Sequence, residues 1–424
     1  MSNSFSKEER VAFEDILEGF QDLLVLSRHV SVYNTDQTMM ERANNTIWRP
    51  MPYIAQSINS TPGSSISGSY QNMTQLSVPS TIGFSKTVPW TMTTLDLRDA
   101  LQEGRLGESA KQKLASDINV AIMNTAAAQG TLVVPIVGAA GDYDDVSLCD
   151  TIMNEQGVPD YDRFLGLSSR DYNGMAGNLA VATRSFGNPK SNLAYERNQV
   201  GMVAGFDTYK FDYANRIAVA AGGTTTIATN GAQADYVPQA TSTSVGGQIN
   251  VDNRYQSVTV SNTVGIVAGD AFTIDGVYAV HHITKEDTGQ LKTFRVISVT
   301  NGTVMVISPP IIGATNSPTD AELQYKNVEV VTESATAAIN WLNTGASAIN
   351  VFWQKDSLEI LPGRYAIPSD AGTAVMRATT DQGVELVMQK FYDIDSMIIK
   401  YRLDTLFGVV NKQPEMSGIL LFNQ

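Results

Sequence analysis

The pattern that most constrains the fold lies in the third quarter of the chain, at about residues 222–340. Residues 257–261 alternate between hydroxyl and valine side chains, which is typical of a strand with one buried face. Two β-branched runs, 294–299 and 303–307, flank Asn301-Gly302, a pair that supplies the positive φ angles of a tight hairpin. These signals predict a compact all-β module set inside a longer α+β chain.

The N-terminal region predicts an amphipathic helix over residues 6–28. Ser6 and Glu9 have the spacing of a capping box, and Phe13 and Phe20 lie on the apolar face of the helix. Such a helix usually docks on its own domain. The alternative is an arm that lies on a neighbouring subunit.

A second, longer helix is predicted over residues 96–124. Gly104 and Gly107 are points where this helix would kink, and Gly130 is its predicted C-terminal stop. A further helix is predicted at residues 144–154. Five strands are predicted at residues 131–137, 350–353, 358–362, 385–388 and 397–403.

Residues 44–92 have no helical period and are interrupted by prolines. Residues 57–69 are almost wholly Ser, Gly, Asn, Thr and Ile, as in a disordered linker. Aromatic residues are nevertheless interleaved through the segment, and disordered linkers are poor in them: Trp48, Tyr53, Tyr70, Phe84 and Trp90. We therefore expect an extended two-stranded loop that reaches across a neighbouring molecule.

Charge and cysteine content exclude some classes of protein. The formal net charge is −14 and no Lys/Arg cluster occurs, which argues against a free-standing nucleic-acid binder. Cys149 is the single cysteine, so no intrachain disulfide forms, and it is expected to be a core residue rather than a nucleophile. The N-terminus lacks an apolar signal segment and no run of 18 apolar residues occurs, which predicts cytoplasmic synthesis and no membrane span.

No residue cluster predicts catalysis, a cofactor or a metal site. His281 and His282 would point to opposite faces of a strand and could not easily share a metal. The acidic run 142–145 lacks the central Gly and distal Glu of a calcium loop and is expected to begin a helix. Phosphate-binding loops, nucleophile elbows and zinc-protease motifs are absent, so no enzyme activity is predicted.

Four short segments carry a resemblance that extends over nearly the whole chain: residues 45–50 (NTIWRP), 200–207 (VGMVAGFD), 251–255 (VDNRY) and 350–353 (NVFW). In order and spacing the chain resembles the major coat protein family of short-tailed double-stranded-DNA phages related to Salmonella phage P22. The resemblance implies an α+β Hong Kong 97-like capsid fold with a long spine helix, an extended loop and an inserted small β-barrel domain.

The resemblance also implies a division of the chain into six regions. These are an N-terminal arm with an amphipathic helix at 1–43, the extended loop at 44–92, a peripheral domain with the spine helix at 93–139, the first part of an axial domain at 140–221, the inserted β-barrel domain at 222–340, and the return strands of the axial and peripheral domains at 341–424.

The function that the resemblance implies is that of a major capsid protein. Copies would assemble as hexamers and pentamers, with a scaffolding protein and a portal, into an icosahedral procapsid in the host bacterial cytoplasm. The shell would enclose double-stranded DNA without sequence-specific binding and become the capsid of the virion. The alternatives are a cellular compartment shell of the same fold, which usually lacks the β-insertion, a glycan-binding β-domain protein, which would need secretion, and a hydrolase, which would need a catalytic cluster.

Two sets of residues are predicted to contact other subunits. Trp48 is expected to be a buried aromatic anchor, with a role in its own subunit's core as the alternative; Arg49, Trp90, Phe13 and Phe20 complete this set. The second set is a loop of the inserted domain that in the family meets another capsomer through acidic residues. Here that loop carries no charge, so either hydrogen bonds replace the ion pairs or a different loop makes the contact. The polar residues of the loop are Thr241, Ser242, Thr243, Ser244, Gln248 and Asn250.

Overall fold

The computed structural model describes residues 5, 7–33, 46–52, 55, 57–93, 100–182, 189–227, 235–315, 317–330, 336–367 and 373–424. The chain divides into two compact units. Unit 1 comprises Met1–Ile47, Ser80–Thr125 and Leu358–Val410; unit 2 comprises Trp48–Pro79, Ala126–Ser357 and Asn411–Gln424. Ser6 and Tyr53, which the sequence analysis singled out, lie outside the described residues.

The described residues contain six α-helices: α1 (Lys7–Leu23), α2 (Ala100–Gln129), α3 (Tyr143–Glu155), α4 (Ser169–Ala182), α5 (Pro189–Arg197) and α6 (Asp320–Tyr325). Short 3₁₀ turns occur at Leu26–His29 and Pro414–Met416.

The strands of the first half of the chain are β1 (Ser31–Val32), β2 (Thr46–Pro50), β3 (Ser77–Thr81), β4 (Phe84–Thr93), β5 (Leu132–Pro135), β6 (Arg163–Ser168), β7 (Met202–Val203), β8 (Phe206–Phe211) and β9 (Arg216–Ile217). Those that follow are β10 (Thr241–Ser244), β11 (Gly247–Asn250), β12 (Gln256–Thr259), β13 (Ala271–Val280), β14 (Asp287–Asn301), β15 (Val304–Ser308), β16 (Val328–Val330) and β17 (Ile339–Trp341). The last are β18 (Ser347–Ala348), β19 (Asn350–Gln354), β20 (Leu358–Pro362), β21 (Ala374–Thr379), β22 (Glu385–Asp393), β23 (Ile398–Asn411) and β24 (Ser417–Leu421).

Unit 1 is built on a six-stranded sheet of order β1-β20-β23-β22-β21, with β4 also paired to β23. The antiparallel pairing of β4 with β23 runs from Phe84 opposite Phe407 to Thr93 opposite Ile398. Residues 84–92, which the sequence predicted to belong to the extended loop, are therefore part of this sheet. Their exposure alternates along the strand, as the period-2 geometry of a sheet strand requires.

Helix α1 packs within unit 1. Phe13 and Phe20 are 5% and 0% exposed. The carboxylate of Glu9 accepts a hydrogen bond from the hydroxyl of Tyr401 (3.0 Å) and pairs with Lys390 of β22. The apolar surfaces of Phe13 and Phe20 are thus already covered inside the single chain, which favours the interpretation that the N-terminal helix docks on its own domain.

Helix α2 continues without interruption through Gly104 and Gly107 and ends at Gln129, immediately before the predicted stop at Gly130. Helical structure therefore persists through both glycines, where a kink was expected. A Cβ at Gly107 would lie 2.7 Å from the side chain of Ile16, so the missing side chain admits α1 against α2. Close packing of α1 against α2 therefore accounts for the glycine at position 107.

The first sheet of unit 2 has the order β5-β24-β19-β6-β8-β7. Helices α3 and α4 supply Val146, Met153 and Met175 to its core, together with Cys149. Burial, followed by the nearby carboxylates of Asp145 and Asp150, raises the pKa of the Cys149 thiol. The prediction that Cys149 is a core residue is confirmed.

The second sheet of unit 2 has the order β12-β15-β14-β13-β16, with β17 on β13, and a separate apolar core. The rings of Phe272 and Phe294 stack there at 5.7 Å. The predicted hairpin is confirmed, but its turn is Gly302-Thr303 and neither Asn301 nor Gly302 has a positive φ. The side-chain oxygen of Asn301 instead accepts from the N–H of Thr303 (2.9 Å), and this Asx turn fixes the bend.

Within the described residues, no helix combines the length and the apolar character needed to cross a membrane.

Candidate contact surfaces

The segment between β2 and β3 projects apolar side chains into solvent. β2 and β3 pair with each other, and the N–H of Met51 donates to the carbonyl of Leu76 (2.8 Å) where the ribbon ends. Two turns, closed by Ser64 and Ser69 N–H groups at 2.9 Å, shape the residues beyond. Four large apolar side chains of this loop tip, residues 57–75, are 41% to 79% exposed: Ile58, Ile66, Tyr70 and Met73. Exposed apolar clusters of this kind mark interaction surfaces.

Trp48 and Trp90 lie in different settings. Trp48 and Arg49 are half-buried on β2, at the base of the loop. Trp90 lies on β4 directly opposite Tyr401, and the two rings stack at 5.5 Å. Trp90 also lines a cavity of about 180 Å³ in unit 1 together with Phe13 of α1. The structure thus brings Trp90 and Phe13 together inside one unit and leaves Trp48 and Arg49 at the loop.

The loop over residues 241–250 is a free-standing two-stranded hairpin of β10 and β11. Ser244 pairs with Gly247 next to the turn, and Thr241 pairs with Asn250 at the base. Most of its side chains are exposed; Val245 at the turn is fully exposed and Ile249 is more than half exposed. An isolated two-stranded hairpin is marginally stable in water. Its outermost side chain, Val245, is apolar and was not among the six polar residues predicted to make the contact.

A buried ion pair lies in unit 2 between β14 and the 3₁₀ turn Pro414–Met416. The ammonium of Lys292 lies 2.6 Å from Glu415 Oε1 and donates to Gln156 Oε1 (2.8 Å). The side-chain amide of Asn327 donates to the same Glu415 oxygen (3.2 Å). Burial alone would raise the pKa of Glu415, but Lys292, His282 and these hydrogen bonds hold it at about 2.

The two adjacent histidines do not lie on a strand, because β13 ends at Val280. His281 Nδ1 accepts from the N–H groups of Ile283 (3.2 Å) and Thr284 (3.3 Å) and closes a turn. His282 lies 3.6 Å from Glu415, and burial lowers its pKa to about 4. The histidines thus serve a turn and a buried cluster. Among the described residues, no group of three or more His, Cys, Asp or Glu side chains could hold a metal ion.

His282 is expected to make the subunit less stable as the pH falls from its ordinary pKa of 6.5 to its folded pKa of about 4. In that interval the unfolded chain binds a proton that the folded chain does not, so the free energy of unfolding falls by roughly 3 kcal/mol. Glu415, whose pKa drops from 4.5 to about 2, adds a loss only below pH 4.5. Urea denaturation of His282→Gln should show a flatter pH dependence between pH 6.5 and 4.

His29→Gln is the control for this experiment, because His29 belongs to unit 1 and the groups that act on the pKa of His282 are Glu415, Lys292, Lys285 and His281. An unchanged pH slope in His282→Gln would contradict the assignment.

The family of the chain follows from a match along its whole length. The family model described as "P22 coat protein - gene protein 5" matches residues 1–423. The chain belongs to the P22 coat protein family. It is accordingly a major capsid protein of a tailed phage, a component of the virion that assembles in many copies.

Solved structures similar to this coat protein come from several phages. A structure of Mycobacterium phage Che8 has 10% identity and a TM-score of 0.42, covering 93% of this chain and 90% of that chain. The mature capsid of bacteriophage PhiM1 has 11% identity and a TM-score of 0.46, covering 94% and 87%. The CUS-3 coat protein I-domain has 36% identity and a TM-score of 0.22, covering 28% and 96%. The family assignment rests on the sequence match and not on these superpositions.

One sequence segment typical of the resemblance, residues 251–255, has a structural role in this coat protein. Asn253 accepts from the hydroxyl of Tyr236 and the N–H of Gln239, both at 3.0 Å. Arg254 binds Asp252 with two of its nitrogens and donates to the carbonyl of Asn411 (2.8 Å). These polar side chains are buried and fix the backbone that precedes β12, so residues 251–255 hold the subunit together.

Proposed function

We propose that this coat protein forms an icosahedral shell of hexamers and pentamers around double-stranded DNA. It would assemble with a scaffolding protein and a portal as a procapsid in the host bacterial cytoplasm. The observation that carries the proposal is the display of apolar side chains on two protruding segments, the loop tip and the 241–250 hairpin, by a member of a coat protein family. Projections of this kind suit contacts between copies whose bodies stay rigid.

The fold that supports this function best is the Hong Kong 97 capsid fold with an inserted β-barrel. We assign α2, at 30 residues, as its spine helix, and residues 222–340 as the inserted domain. The separate core of the second sheet in unit 2 supports the domain assignment. We retain the N-terminal arm (1–43), extended loop (44–92), peripheral (93–139), axial (140–221) and return (341–424) regions as the proposed division.

A structural rather than catalytic role is part of the proposal. The family is one of coat proteins, and the buried Lys292 and Glu415 of unit 2 are paired with each other. The net charge of −14 suits a shell lining that does not grip packaged DNA.

Electron microscopy of the purified chain, alone and with its scaffolding protein, tests the proposal. Closed shells of uniform diameter with five-fold and six-fold capsomers are expected when the scaffold is present. Compact single molecules under all concentrations and partner conditions would refute it.

Trp48→Ala is expected to reduce shell formation by about tenfold or more while the free energy of unfolding of the subunit stays near that of wild type. The reason is that Trp48 is partly exposed in the single chain, so its uncovered surface is available to a neighbour. Light scattering during assembly and urea denaturation of the unassembled subunit are the two measurements. Normal assembly with normal stability would show that Trp48 is no anchor.

Val245→Asp is expected to weaken contacts between capsomers, because an apolar tip that meets a neighbour would be replaced by a charge. Shell yield at a fixed subunit concentration should fall by roughly tenfold, with the unfolding free energy unchanged, since Val245 is fully exposed in the subunit. Val264→Asp is the matched control, an exposed valine of the same unit outside the hairpin. Equal yields from both variants would remove the hairpin from the contact.

A further inference from the structure

The return limb of the extended loop, residues 72–76, is bonded to helix α6 of its own subunit. The side-chain amide of Gln324 donates to the carbonyl of Asn72 (2.7 Å) and accepts from the N–H of Thr74 (3.2 Å). The hydroxyl of Tyr325 donates to the carbonyl of Thr74 (3.2 Å) and accepts from the N–H of Leu76 (3.3 Å). One further bond, from the N–H of Asn72 to Asp320 Oδ2 (2.8 Å), lies at the outer end.

These five bonds use the backbone groups of alternate residues, 72, 74 and 76. In an extended chain the N–H and C=O of alternate residues point to the same side, where a neighbouring strand would bind them. The side chains of Gln324 and Tyr325 therefore occupy the edge of the limb that another strand would use. The contact holds the limb in the manner of a strand partner, but through the side chains of Asp320, Gln324 and Tyr325.

The contact is polar and local, which makes it reversible. Leu76 is the buried end of the limb, whereas Met73, Tyr70 and the remainder of the tip are largely exposed. Apolar packing thus ends at Leu76, and hydrogen bonds hold residues 72–75 against α6. Each neutral hydrogen bond shifts an equilibrium by only about twofold to twelvefold, because water replaces it when it opens.

We propose that α6 is a latch that holds the return limb on its own subunit before assembly and releases it when the loop tip engages a second copy of the chain. The proposal rests on the proposed function, because assembly into a shell supplies the neighbouring subunit that the released limb contacts. A latched limb cannot follow a neighbour whose position differs slightly from one site of the shell to the next. The latch therefore sets the fraction of subunits that are competent to assemble.

Tyr325→Phe removes two of the five bonds and tests the latch. In the wild-type subunit the amides of Thr74 and Leu76 are expected to be protected from hydrogen exchange. Tyr325→Phe should speed their exchange by about tenfold and raise the scaffold-assisted assembly rate by up to the same factor. Gln324→Met, of similar size, should act in the same direction. Tyr195→Phe is the matched control, the same substitution at an exposed tyrosine outside the extended loop, and should change neither quantity.

Three results separate the possibilities. Faster exchange with an unchanged or slower assembly rate would show a fixed brace and overturn the latch. Unprotected Thr74 and Leu76 amides in the wild-type subunit would show that the contact does not form in solution. If the wild-type chain forms no shells at all, the proposed function fails and the role of the latch in assembly fails with it, while the exchange measurement still reports whether α6 holds the limb.

Discussion

Lys292→Met is expected to lower the free energy of unfolding of the subunit by about 3–5 kcal/mol, because it leaves the carboxylate of Glu415 buried without its cation. Lys292 is fully buried and lies 2.6 Å from Glu415. Gln156 also loses the donor that its side-chain oxygen binds at 2.8 Å. Urea denaturation of the unassembled subunit at neutral pH is the measurement.

The double variant Lys292→Met/Glu415→Met separates the loss of an attraction from the cost of an unpaired charge. It should recover a large part of the lost stability, since replacing both members of a buried pair by apolar side chains is often close to neutral. Lys113→Met serves as the surface control. Lys113 pairs with Asp117 at 2.7 Å on the exposed side of α2, and such pairs contribute about 0–1 kcal/mol. If Lys292→Met behaves like Lys113→Met, the pair contributes no more than a surface contact.

Strands and helices with strong local patterns could be predicted from the sequence. The strand over 358–362 and the hairpin that joins β14 to β15 follow from β-branched runs and a turn residue, which are all near one another in the chain. The helix start at 142–145 follows from its carboxylates, and Asp145 indeed accepts from the N–H groups of Gly141 and Asp142. Each of these signals needs only residues that are close in sequence.

Partners distant in sequence could not be predicted. A lysine next to a predicted strand, such as Lys292, usually indicates a solvent-facing position. Nothing near it in sequence shows that it forms a buried ion pair with Glu415. Glu9 has the spacing of a capping box with Ser6, but nothing near it in sequence shows that its carboxylate also binds Tyr401 and Lys390. The apolar face of α1 was likewise visible in the sequence, but the surface that it covers was not.

The candidate contacts show the same limit. Exposed Val245 and the half-buried Trp48 remain predictions about neighbours, since a single chain shows what it leaves uncovered and not what covers it. Trp90 had the same aromatic signal as Trp48 in the sequence. Only its place opposite Tyr401 distinguishes it as part of the subunit's own sheet.

Arg295→Met is expected to lower the free energy of unfolding by about 3 kcal/mol through the C-terminal end of α2. The guanidinium of Arg295 is buried and donates to the carbonyls of Ala127 (3.0 Å), Gly130 (3.2 Å) and Gly269 (3.1 Å). The last carbonyls of a helix have no partner within it. A cation there also interacts favourably with the negative end of the helix dipole. Burial lowers the pKa of Arg295 to about 10, so the side chain stays charged at neutral pH.

Hydrogen exchange distinguishes this cause from a general loss of core packing. In Arg295→Met the amides of Gly130 and Thr131 should exchange faster relative to amides in the first sheet of unit 2. Arg295→Lys should recover only part of the stability, because a single ammonium cannot reach three carbonyls in the fixed geometry of a guanidinium. Unchanged exchange at Gly130 combined with a loss of under about 1 kcal/mol would exclude the cap, since a buried cation bonded to three carbonyls contributes more than that. The second sheet of unit 2 therefore stabilises more than its own core, because strand β14 supplies the Arg295 guanidinium that binds the C-terminal carbonyls of α2.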